Sequence, residues 1–436
     1  MQRSRNGRNT QTHNGADGAG VSNPRARQRA LAIGIADAAD RGDPLGELKE
    51  LLRTAGVATA GEAVQHRAAP DPDRYFGRGR LAELKEQITA CGANLVACDD
   101  ELAPRQERNL EAALGVPVID RTAVILDIFA DHAHSAEGKL QIELAQLEYN
   151  LARMRGLWTH LERLGGGIGT RGPGESQIET DRRLARDRIA ALRRRLARLE
   201  RNRGVMRARR ERSSIPRIAL AGYTNAGKST LLNAITGADA GVGDRLFHTL
   251  DPTTRSFELS GRDFLLTDTV GFIDKLPHQL VEAFKATLEE SARADLIVHV
   301  LDASVPQERR QVDIRAVDGV LEEIGAGAKP RLLALNKADL LDSEETHEVS
   351  IRHPDAVLVS ALTGEGLELL RIRIEAAFEE TLTDVELLIP YSEGGRLHEL
   401  HEVAGNLVRF DRSDGVLVQA RVPVAELHRF EDLAVV

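Results

Sequence analysis

Several features that mark special protein classes are scarce or absent in this 436-residue chain. It has only two cysteines, Cys91 and Cys98, which are too few and wrongly spaced for a disulfide framework or a zinc site. Aromatic residues make up 3% of the chain, and no segment approaches the run of about 20 apolar residues that a membrane-spanning helix needs. The first residues also lack the apolar core of a secretory signal. These absences predict a cytoplasmic protein without a membrane span, whose 42% hydrophobic residues can form several compact domains.

The net charge of −9 is distributed very unevenly. Between Arg182 and Arg212, fourteen arginines stand against three acidic residues, so this strip carries +11 and the rest of the chain −20. Ion pairing along a solvated helix face is one explanation for such a strip, but three acids cannot neutralise fourteen arginines. An acidic protein with one dense arginine strip is typical of nucleic-acid binders. The strip therefore predicts a polyanionic partner.

The distribution of apolar residues predicts five segments. Residues 1–28 have almost no apolar content, and we expect a flexible basic tail. In residues 29–138, short apolar runs alternate with helical patterns, which indicates a small parallel α/β domain. Residues 381–436 predict a small α+β domain at the other end of the chain. In the first domain we expect strands at Leu31–Ile35, Asn94–Ala97 and Val116–Ile119, and helices at Leu45–Leu52, Leu81–Ile88 and Arg105–Leu114.

Residues 139–212 predict a long antiparallel helical hairpin. A run from Gly165 to Gly174 interrupts two segments with heptad spacing, and no helix survives so many glycines. Ser176 and Glu179 then have the spacing of a capping box that would restart a helix. We expect a glycine-rich tip at 165–175, an arginine-rich second helix, and a monomer, because each apolar seam is covered by the other helix. The seam residues are Leu140, Leu144, Leu147, Leu151, Met154, Trp158 and Leu161, followed by Ile178, Ala185, Ile189, Leu192, Leu196 and Leu199.

A phosphate-binding loop follows the hairpin. The apolar strand pattern at 217–221 runs into G-x-x-x-x-G-K-S and then into an apolar helix, and this strand–loop–helix context makes the motif specific. Backbone N–H groups and the helix N-terminus would surround the phosphates. Lys228 would reach the β- and γ-phosphates, and Ser229 would ligate Mg²⁺. The predicted phosphate-contacting residues are Gly222, Tyr223, Thr224, Asn225, Ala226, Gly227, Lys228, Ser229 and Thr230.

A second motif predicts which base is bound. A strand pattern at 331–335 ends at Asn336, Lys337, Ala338 and Asp339. The Asp339 carboxylate can accept hydrogen bonds from N1–H and the exocyclic amine of guanine, and adenine has no such pair of donors. Asn336 and Lys337 would brace the loop and cover the base plane. After a further strand pattern at 356–359, backbone N–H groups of Ser360, Ala361 and Leu362 can donate to guanine O6.

Two loops between these motifs would sense the γ-phosphate. One contains Asp268, Thr269, Val270 and Gly271, of which Asp268 would hold Mg²⁺ and the Gly271 amide would contact the γ-phosphate. We therefore expect Lys228 and Gly271 to act directly on the reacting phosphate. The other loop contains Phe247, His248, Thr249, Leu250 and Asp251 and must supply a threonine to the Mg²⁺ shell. The spacing does not decide whether Thr249, Thr253 or Thr254 is this threonine. Together the motifs predict a GTP-binding domain over residues 213–380.

Together these motifs resemble those of the HflX-type family of ribosome-associated GTPases, in the wider group that includes Obg-type proteins. The resemblance covers nearly the whole chain after residue 28 and is carried by GYTNAGKS (222–229), FHTLD (247–251) followed by PTTR, DTVGF (268–272), NKAD (336–339) and the distinctive GGGIGTRGPGESQIETDRR (165–183). It implies that Thr249 is the Mg²⁺-ligating threonine. It also implies a role at ribosomal RNA of the large ribosomal subunit, where such proteins split stalled ribosomes under stress or aid subunit handling. The expected fold class is α/β, with a mostly parallel GTPase sheet between the flanking domains.

Hydrolysis poses a specific problem, because many GTPases orient the attacking water with a glutamine directly after the Asp-x-x-Gly element. This chain has Phe272 at that position, and phenylalanine has no group that binds water. We therefore expect slow intrinsic hydrolysis that a partner or a rearranged backbone accelerates. The alternative function is a GTP-dependent switch that recruits a protein effector and has no action on ribosomes.

Overall fold

Three β-sheets organise the described part of the chain in a computed structural model. The structure describes residues 28–36, 43–154, 173–210, 215–238, 246–247, 252–275, 290–379 and 382–434. A parallel α/β sheet comes first, then a helical hairpin, a mostly parallel sheet and a small antiparallel sheet. The expected fold class is therefore confirmed. Residues 1–27 of the predicted tail lie outside the described residues.

The first sheet has four parallel strands in the order β2-β1-β3-β4. Each strand and helix predicted for this domain overlaps an observed element, but the sequence pattern does not predict β2 or α4. The strands are β1 (Arg29–Ala36), β2 (Ala58–His66), β3 (Leu95–Cys98) and β4 (Val118–Asp120), and the helices are α1 (Gly46–Thr54), α2 (Arg78–Cys91), α3 (Pro104–Leu114) and α4 (Arg121–His132).

The two missed elements have different physical causes. β2 lies at the edge of the sheet and buries only Ala63, so it has no apolar run to mark it. Helix α4 buries apolar side chains around most of its circumference, from Val124 to Phe129. Such a helix has no amphipathic period, and a short apolar run cannot be distinguished from a buried strand by sequence pattern alone.

The hairpin consists of α5 (Ala136–Arg153) and α6 (Pro173–Arg210). Ala185, Ile189 and Leu192 of the predicted seam are buried, and ion pairs join Arg188 to Glu143 and Arg193 to Glu148 across the two helices. The predicted capping box at Ser176 and Glu179 is wrong, because α6 begins at Pro173 and both residues lie inside it. Proline suits the first turn of a helix, where its missing N–H has no partner to lose. The tip residues 165–172 and the seam residues Trp158 and Leu161 lie outside the described residues.

Helix α5 also anchors the hairpin to the first domain through a face that the leucine seam does not include. Ile142, Ala145 and Tyr149 belong to the hydrophobic core that the first domain shares with its neighbours. The Tyr149 hydroxyl donates to Asp120 Oδ1 at 2.8 Å, and Arg153 forms an ion pair with Asp120 at 2.7 Å. The base of the hairpin is therefore held to the carboxyl end of β4.

The second sheet has six strands in the order β10-β9-β8-β5-β7-β6, and every neighbouring pair is parallel except β6 and β7. Carboxyl ends of parallel strands meet at one edge of a sheet, which is where ligands bind in such folds. The strands are β5 (Arg217–Gly222), β6 (Thr253–Leu259), β7 (Arg262–Asp268), β8 (Leu296–Asp302), β9 (Arg331–Asn336) and β10 (Val357–Leu358), with helices α7 (Lys228–Thr236), α8 (Gln307–Glu323), α9 (Ser343–Arg352) and α10 (Leu367–Glu379).

The last domain is a three-stranded antiparallel sheet in the order β11-β13-β12 with a helix on one side. Its elements are β11 (Leu382–Ile389), α11 (Gly394–Val403), β12 (Gly405–Asp411) and β13 (Val416–Pro423). Its core includes Leu387, Leu400, Val418 and Phe430. Over the described residues, none of the helices combines the length and the apolar character required to span a bilayer.

Candidate nucleotide-binding site

The predicted phosphate loop connects β5 to the first turn of α7, and its glycines are required by close contacts. A Cβ on Gly222 would lie 2.2 Å from the carbonyl oxygen of Val300 on β8. Gly227 has φ +89° and lies against Asn336, whose Nδ2 would be 2.2 Å from an added Cβ. Asn225 also has a left-handed backbone, at φ +60°. These conformations turn the chain sharply into the start of α7 at Lys228.

Lys228 is buried at the centre of this loop. Its Nζ donates to the carbonyl oxygens of Gly222 at 3.0 Å and Tyr223 at 2.9 Å. Burial lowers the pKa of Lys228 to about 8, although the nearby Asp268 carboxylate opposes the shift. A phosphate at this position would stabilise the charged ammonium form of Lys228. This agrees with the predicted role of Lys228, which is to contact the β- and γ-phosphates.

Two oxygen ligands for a divalent cation lie side by side. The Ser229 hydroxyl donates to Asp268 Oδ2 at 2.6 Å, because β5 and β7 are adjacent and Leu220 is in register with Asp268. A hydroxyl and a carboxylate are hard oxygen donors, and this small set suits Mg²⁺, which keeps several waters and binds substrate phosphates. The residues present therefore fit the ion. Thr249, the third predicted ligand, lies outside the described residues, as do His248, Leu250 and Asp251.

The Asp268–Phe272 segment is attached directly to the phosphate loop. Thr269 is buried and its hydroxyl donates to the Leu220 carbonyl at 2.7 Å. The Phe272 N–H donates to the Gly222 carbonyl at 3.1 Å, and the Phe272 carbonyl accepts from Thr224 N–H at 2.7 Å. Gly271 directly precedes Phe272, and a Cβ added to it would lie 3.1 Å from Lys228 Nζ. The glycine predicted to contact the γ-phosphate therefore lies next to the lysine predicted to do so.

The Phe272 side chain is 1% exposed and belongs to the core that the first domain and the GTPase sheet share. Val270 and Phe247 lie in the same core. A side chain buried among apolar groups cannot hold a water molecule beside the phosphates. The Phe272 side chain therefore offers no group that could orient a water molecule at this position.

The predicted base-reading residues also meet at the carboxyl edge of the sheet. Asn336 donates from Nδ2 to the Ala226 carbonyl at 2.9 Å and accepts from Ala361 N–H at 3.0 Å, so it braces both loops as the sequence predicts. The Ser360 hydroxyl donates to Asp339 Oδ1 at 2.5 Å, which orients the carboxylate. Ala338 N–H donates to the Val359 carbonyl at 3.1 Å.

Some details of this loop differ from the sequence expectation or go beyond it. The N–H groups of Ser360 and Ala361 donate to Glu365 O and to Asn336 Oδ1 within the protein, while Leu362 is 80% exposed. Their donation to guanine O6 stays a prediction. Lys337 has φ +65° and forms an ion pair with Asp302 at 2.6 Å, a partner that the motif does not reveal.

Sequence reasoning missed a group of side chains from the first domain that reach this site. Glu47 accepts a hydrogen bond from the Tyr223 hydroxyl, and Arg121 donates to the backbone carbonyl of Asp274, two residues after Phe272. The acidic pair Asp99 and Asp100 directly follows β3, and ligand-binding side chains gather after the strands of a parallel sheet. This pair could have indicated from the sequence that the carboxyl edge of the first sheet makes contacts. The partner of that pair comes from another domain, and no spacing rule connects the two.

Three family models match consecutive parts of the chain. Residues 43–130 match a model described as GTP-binding GTPase N-terminal, and residues 132–210 match the GTP-binding GTPase middle region. Residues 217–337 match a model described as 50S ribosome-binding GTPase. The three matches cover the first domain after β1, both helices of the hairpin, and the GTPase domain from Arg217 to Lys337.

Curated relatives named GTPase HflX are similar over almost the full length of the chain. The relative from Lacrimispora saccharolytica is 46% identical over 395 residues, which are 90% of this chain and 92% of that protein. The relative from Caldanaerobacter subterraneus is 47% identical and covers 91% of this chain and 92% of its own length. The relative from Escherichia coli is 43% identical, with 93% and 96% covered. The similarity therefore includes the hairpin and the first domain as well as the nucleotide site.

Proposed function

The chain belongs to the HflX family of GTPases, and from this premise we propose that it binds GTP with Mg²⁺ and acts on the large ribosomal subunit. The observation that carries the nucleotide part is the position of Asn336, which contacts the phosphate loop at Ala226 and the base-reading loop at Ala361. One triphosphate can therefore bind with its phosphates at Lys228 and its base at Asp339.

In this proposal Lys228 and the Gly271 N–H hold the reacting γ-phosphate from two sides. Ser229, Asp268 and Thr249 would hold Mg²⁺, which supplies positive charge to the β- and γ-phosphate oxygens when it is bound. The remaining residues of the phosphate loop and of the Asp268–Gly271 segment position these groups. The Phe272 side chain has no hydrogen-bonding group, so intrinsic hydrolysis is slow and engagement of the ribosome accelerates it.

Guanine selection follows from the Asp339 carboxylate, which the Ser360 hydroxyl holds in place. Adenine would cover this exposed carboxylate without offering the two donors, and leaving a charged acceptor desolvated and unpaired costs about 1–3 kcal/mol or more. Asn336, Lys337, Ala338, Ala361 and Leu362 complete the wall around the base.

Exposed arginines on the described residues of α6 support the ribosomal part of the proposal. Arg188 and Arg193 pair with acidic residues of α5, whereas Arg194, Arg195 and Arg198 are among the arginines exposed along the same helix. Phosphate contacts from such a strip give most of the affinity for RNA and make it dependent on salt. We propose that α6 binds ribosomal RNA and that the GTP-bound protein dissociates stalled or idle ribosomes under stress.

The test is co-sedimentation of the full chain with large ribosomal subunits in the presence of GDP or a non-hydrolysable GTP analogue. We expect more protein in the pellet with the analogue, and GTP hydrolysis that is faster with subunits than without them. A double charge reversal, R194E/R198E, should lower the bound fraction several-fold. The matched reversal R78E/R373E, at exposed arginines on α2 and α10, should leave it unchanged.

Splitting itself is measured by sedimenting intact ribosomes after incubation with the protein and the analogue. Release of free subunits supports the proposal, whereas intact ribosomes would contradict the splitting step. Equal binding with GDP and with the analogue would contradict the use of the GTP-bound state. If the protein binds no ribosomal component at all, the alternative of a switch that recruits a protein effector is favoured.

A further inference from the structure

Hydrolysis of GTP requires a group that holds the attacking water beside the γ-phosphate, and the residue after Gly271 does not provide one. Many GTPases use the side chain of a glutamine at that position. Here the Phe272 side chain is 1% exposed and lies among apolar groups. A group that replaces the glutamine has to lie close to Gly271, because the Gly271 N–H is predicted to contact the γ-phosphate.

Two side chains border Gly271 on the side of the phosphate loop. Apart from its chain neighbours, the heavy atoms nearest to a Cβ built on Gly271 are Thr224 Cγ2 at 2.8 Å, Thr224 Cα at 3.0 Å and Lys228 Nζ at 3.1 Å. A charged lysine has only donors, so Lys228 can hold phosphate oxygens but cannot accept a hydrogen bond from water. A threonine hydroxyl both donates and accepts. Thr224 therefore has the hydrogen-bonding capacity that Phe272 lacks.

The Thr224 hydroxyl is buried without a partner. The residue is 8% exposed, and within the part of the chain that the structure describes its Oγ1 forms no hydrogen bond. Other hydroxyls at the phosphate end are paired: Ser229 donates to Asp268 Oδ2 at 2.6 Å, and Thr269 donates to the Leu220 carbonyl at 2.7 Å. A buried polar group without a partner costs free energy and usually has a functional reason. A water molecule or a phosphate oxygen in the site would supply the missing partner.

The backbone of Thr224 is fixed against the segment that contains Phe272. The Thr224 N–H donates to the Phe272 carbonyl at 2.7 Å, and the Phe272 N–H donates to the Gly222 carbonyl at 3.1 Å. Rotation about the Cα–Cβ bond of Thr224 by about 120°, from one staggered rotamer to the next, exchanges the positions of its substituents. Such a rotation brings Oγ1 to the position of Cγ2, beside Gly271 and Lys228. The hydroxyl can therefore reach the proposed γ-phosphate position without movement of the backbone.

We propose that the Thr224 hydroxyl is a catalytic group in GTP hydrolysis, which accepts a hydrogen bond from the attacking water and donates one to a γ-phosphate oxygen. This inference rests on the nucleotide site proposed above. The water oxygen forms a bond to the γ-phosphorus, while the bond from that phosphorus to the oxygen shared with the β-phosphate breaks and leaves its electron pair on GDP. One water proton passes through the Thr224 hydroxyl to the released phosphate, and the hydroxyl is restored.

This assignment agrees with a low intrinsic rate. A neutral hydroxyl is a weaker proton acceptor than a carboxylate or an imidazole, so it orients the water more than it activates it. The isolated protein can therefore hydrolyse GTP without a glutamine after Gly271, but only slowly.

The experiment compares single-turnover GTP hydrolysis by the full chain in the wild type, in Thr224→Val and in Thr224→Ser. Valine keeps the shape of threonine without the hydroxyl, whereas serine keeps the hydroxyl without the methyl group. We expect the rate to fall about tenfold or more with valine and to stay within about threefold of the wild type with serine.

Ser291→Ala is the matched control. Ser291 is also fully buried, and its hydroxyl likewise has no partner among the described residues. It precedes β8, at the edge of the sheet opposite to the nucleotide site. Its replacement should leave the hydrolysis rate unchanged.

Affinities and stability separate a role in the reaction from a role in binding or folding. Calorimetry should show less than about a twofold change in the affinity for GDP in both Thr224 variants, because GDP has no γ-phosphate. In Thr224→Val the affinity for a non-hydrolysable GTP analogue should fall by a smaller factor than the rate, because the contact with the attacking water stabilises the transition state. Urea unfolding should show no loss of stability in this variant, because valine removes a polar atom that has no partner within the described ranges.

Equal hydrolysis rates in the wild type and Thr224→Val would overturn the proposal. A serine variant as slow as the valine variant would do the same, because the methyl group and not the hydroxyl would then matter. A loss of stability, or a loss of GDP affinity as large as the loss in rate, would assign Thr224 to the structure of the loop and not to the reaction. If the wild type binds neither GDP nor the analogue, the proposed nucleotide site itself is wrong, which is a different outcome.

Discussion

The side-chain amide of Asn336 donates to the Ala226 carbonyl at 2.9 Å, which connects the base-reading loop to the phosphate loop. Gly227 lies against the Asn336 side chain, because a Cβ added to Gly227 would be only 2.2 Å from Asn336 Nδ2. The two ends of the proposed nucleotide site are therefore parts of one rigid arrangement. Changes at Asn336 should affect both of them.

Replacing Asn336 with aspartate removes the donor to Ala226 and places a carboxylate against a carbonyl oxygen. We expect affinities for GDP and for a GTP analogue to fall by the same factor, about tenfold or more, because an unmet buried hydrogen bond costs about 1–3 kcal/mol. Calorimetric titration of both nucleotides measures this. Asn109→Asp on α3 is the control and should leave both affinities unchanged. A loss confined to GTP would show that Asn336 does not connect the loops energetically.

Replacing Asp339 with asparagine should move the base preference from guanine toward xanthine. The amide of asparagine can donate to the C2 carbonyl of xanthine, whereas guanine presents an amine there. Competition between GDP and xanthosine diphosphate measures the preference. Asp355→Asn, at an exposed acidic residue, should keep the preference for GDP. If the Asp339 variant also keeps it, the assignment of this carboxylate to the base is wrong.

The binding of nucleotide should take up protons near pH 8. Burial lowers the pKa of Lys228 to about 8, so about half of the lysines are neutral at that pH, and a phosphate favours the charged form. Binding affinity should accordingly decrease as the pH rises above 8. Calorimetry at pH 8 in two buffers of different ionisation enthalpy should give an uptake of about half a proton. In Lys228→Arg the side chain is always charged, and this uptake should disappear. Heats that do not depend on the buffer in the wild type would contradict the prediction.

Replacing Phe272 with glutamine should not create an efficient hydrolase, although many GTPases have glutamine at this position. The side chain lies in the core shared between domains, so the amide would be buried without partners. We expect a loss of stability of about 3 kcal/mol or more, with no gain in the single-turnover hydrolysis rate. Phe272→Leu keeps the position apolar and should cost about 1 kcal/mol. Urea unfolding and single-turnover rates test both variants, and a stable glutamine variant with faster hydrolysis would refute this account.

The residues of the proposed nucleotide site could be named from the sequence because the motifs that contain them depend on local spacing. The glycines around Lys228 and the four residues from Asn336 to Asp339 are each contiguous, and each follows a strand whose apolar pattern is evident. The topology of a parallel sheet then brings the carboxyl ends together without further information. The hairpin was predictable for a similar reason, since its heptad seam is a local pattern. Its capping box failed because a proline three residues upstream starts the helix earlier.

The contacts between domains were not predictable in this way. Arg121 and Asp274 are 153 residues apart, and their hydrogen bond depends on how two sheets pack against each other. Strand β2 escaped prediction because it buries only one residue, and helix α4 because it is buried around most of its circumference, so neither has a periodic apolar pattern.

The amino-acid sequence by itself determined which residues are proposed to contact the phosphates and the base, the order of the domains and the charge of α6, because each depends on which residues are neighbours along the chain. Only the tertiary structure decided that Phe272 is buried and that Glu47, Arg121 and Lys275 join the first domain to the backbone after Gly271. Such contacts arise from the packing of surfaces distant in sequence, where a side chain's role depends on a partner that no local pattern identifies.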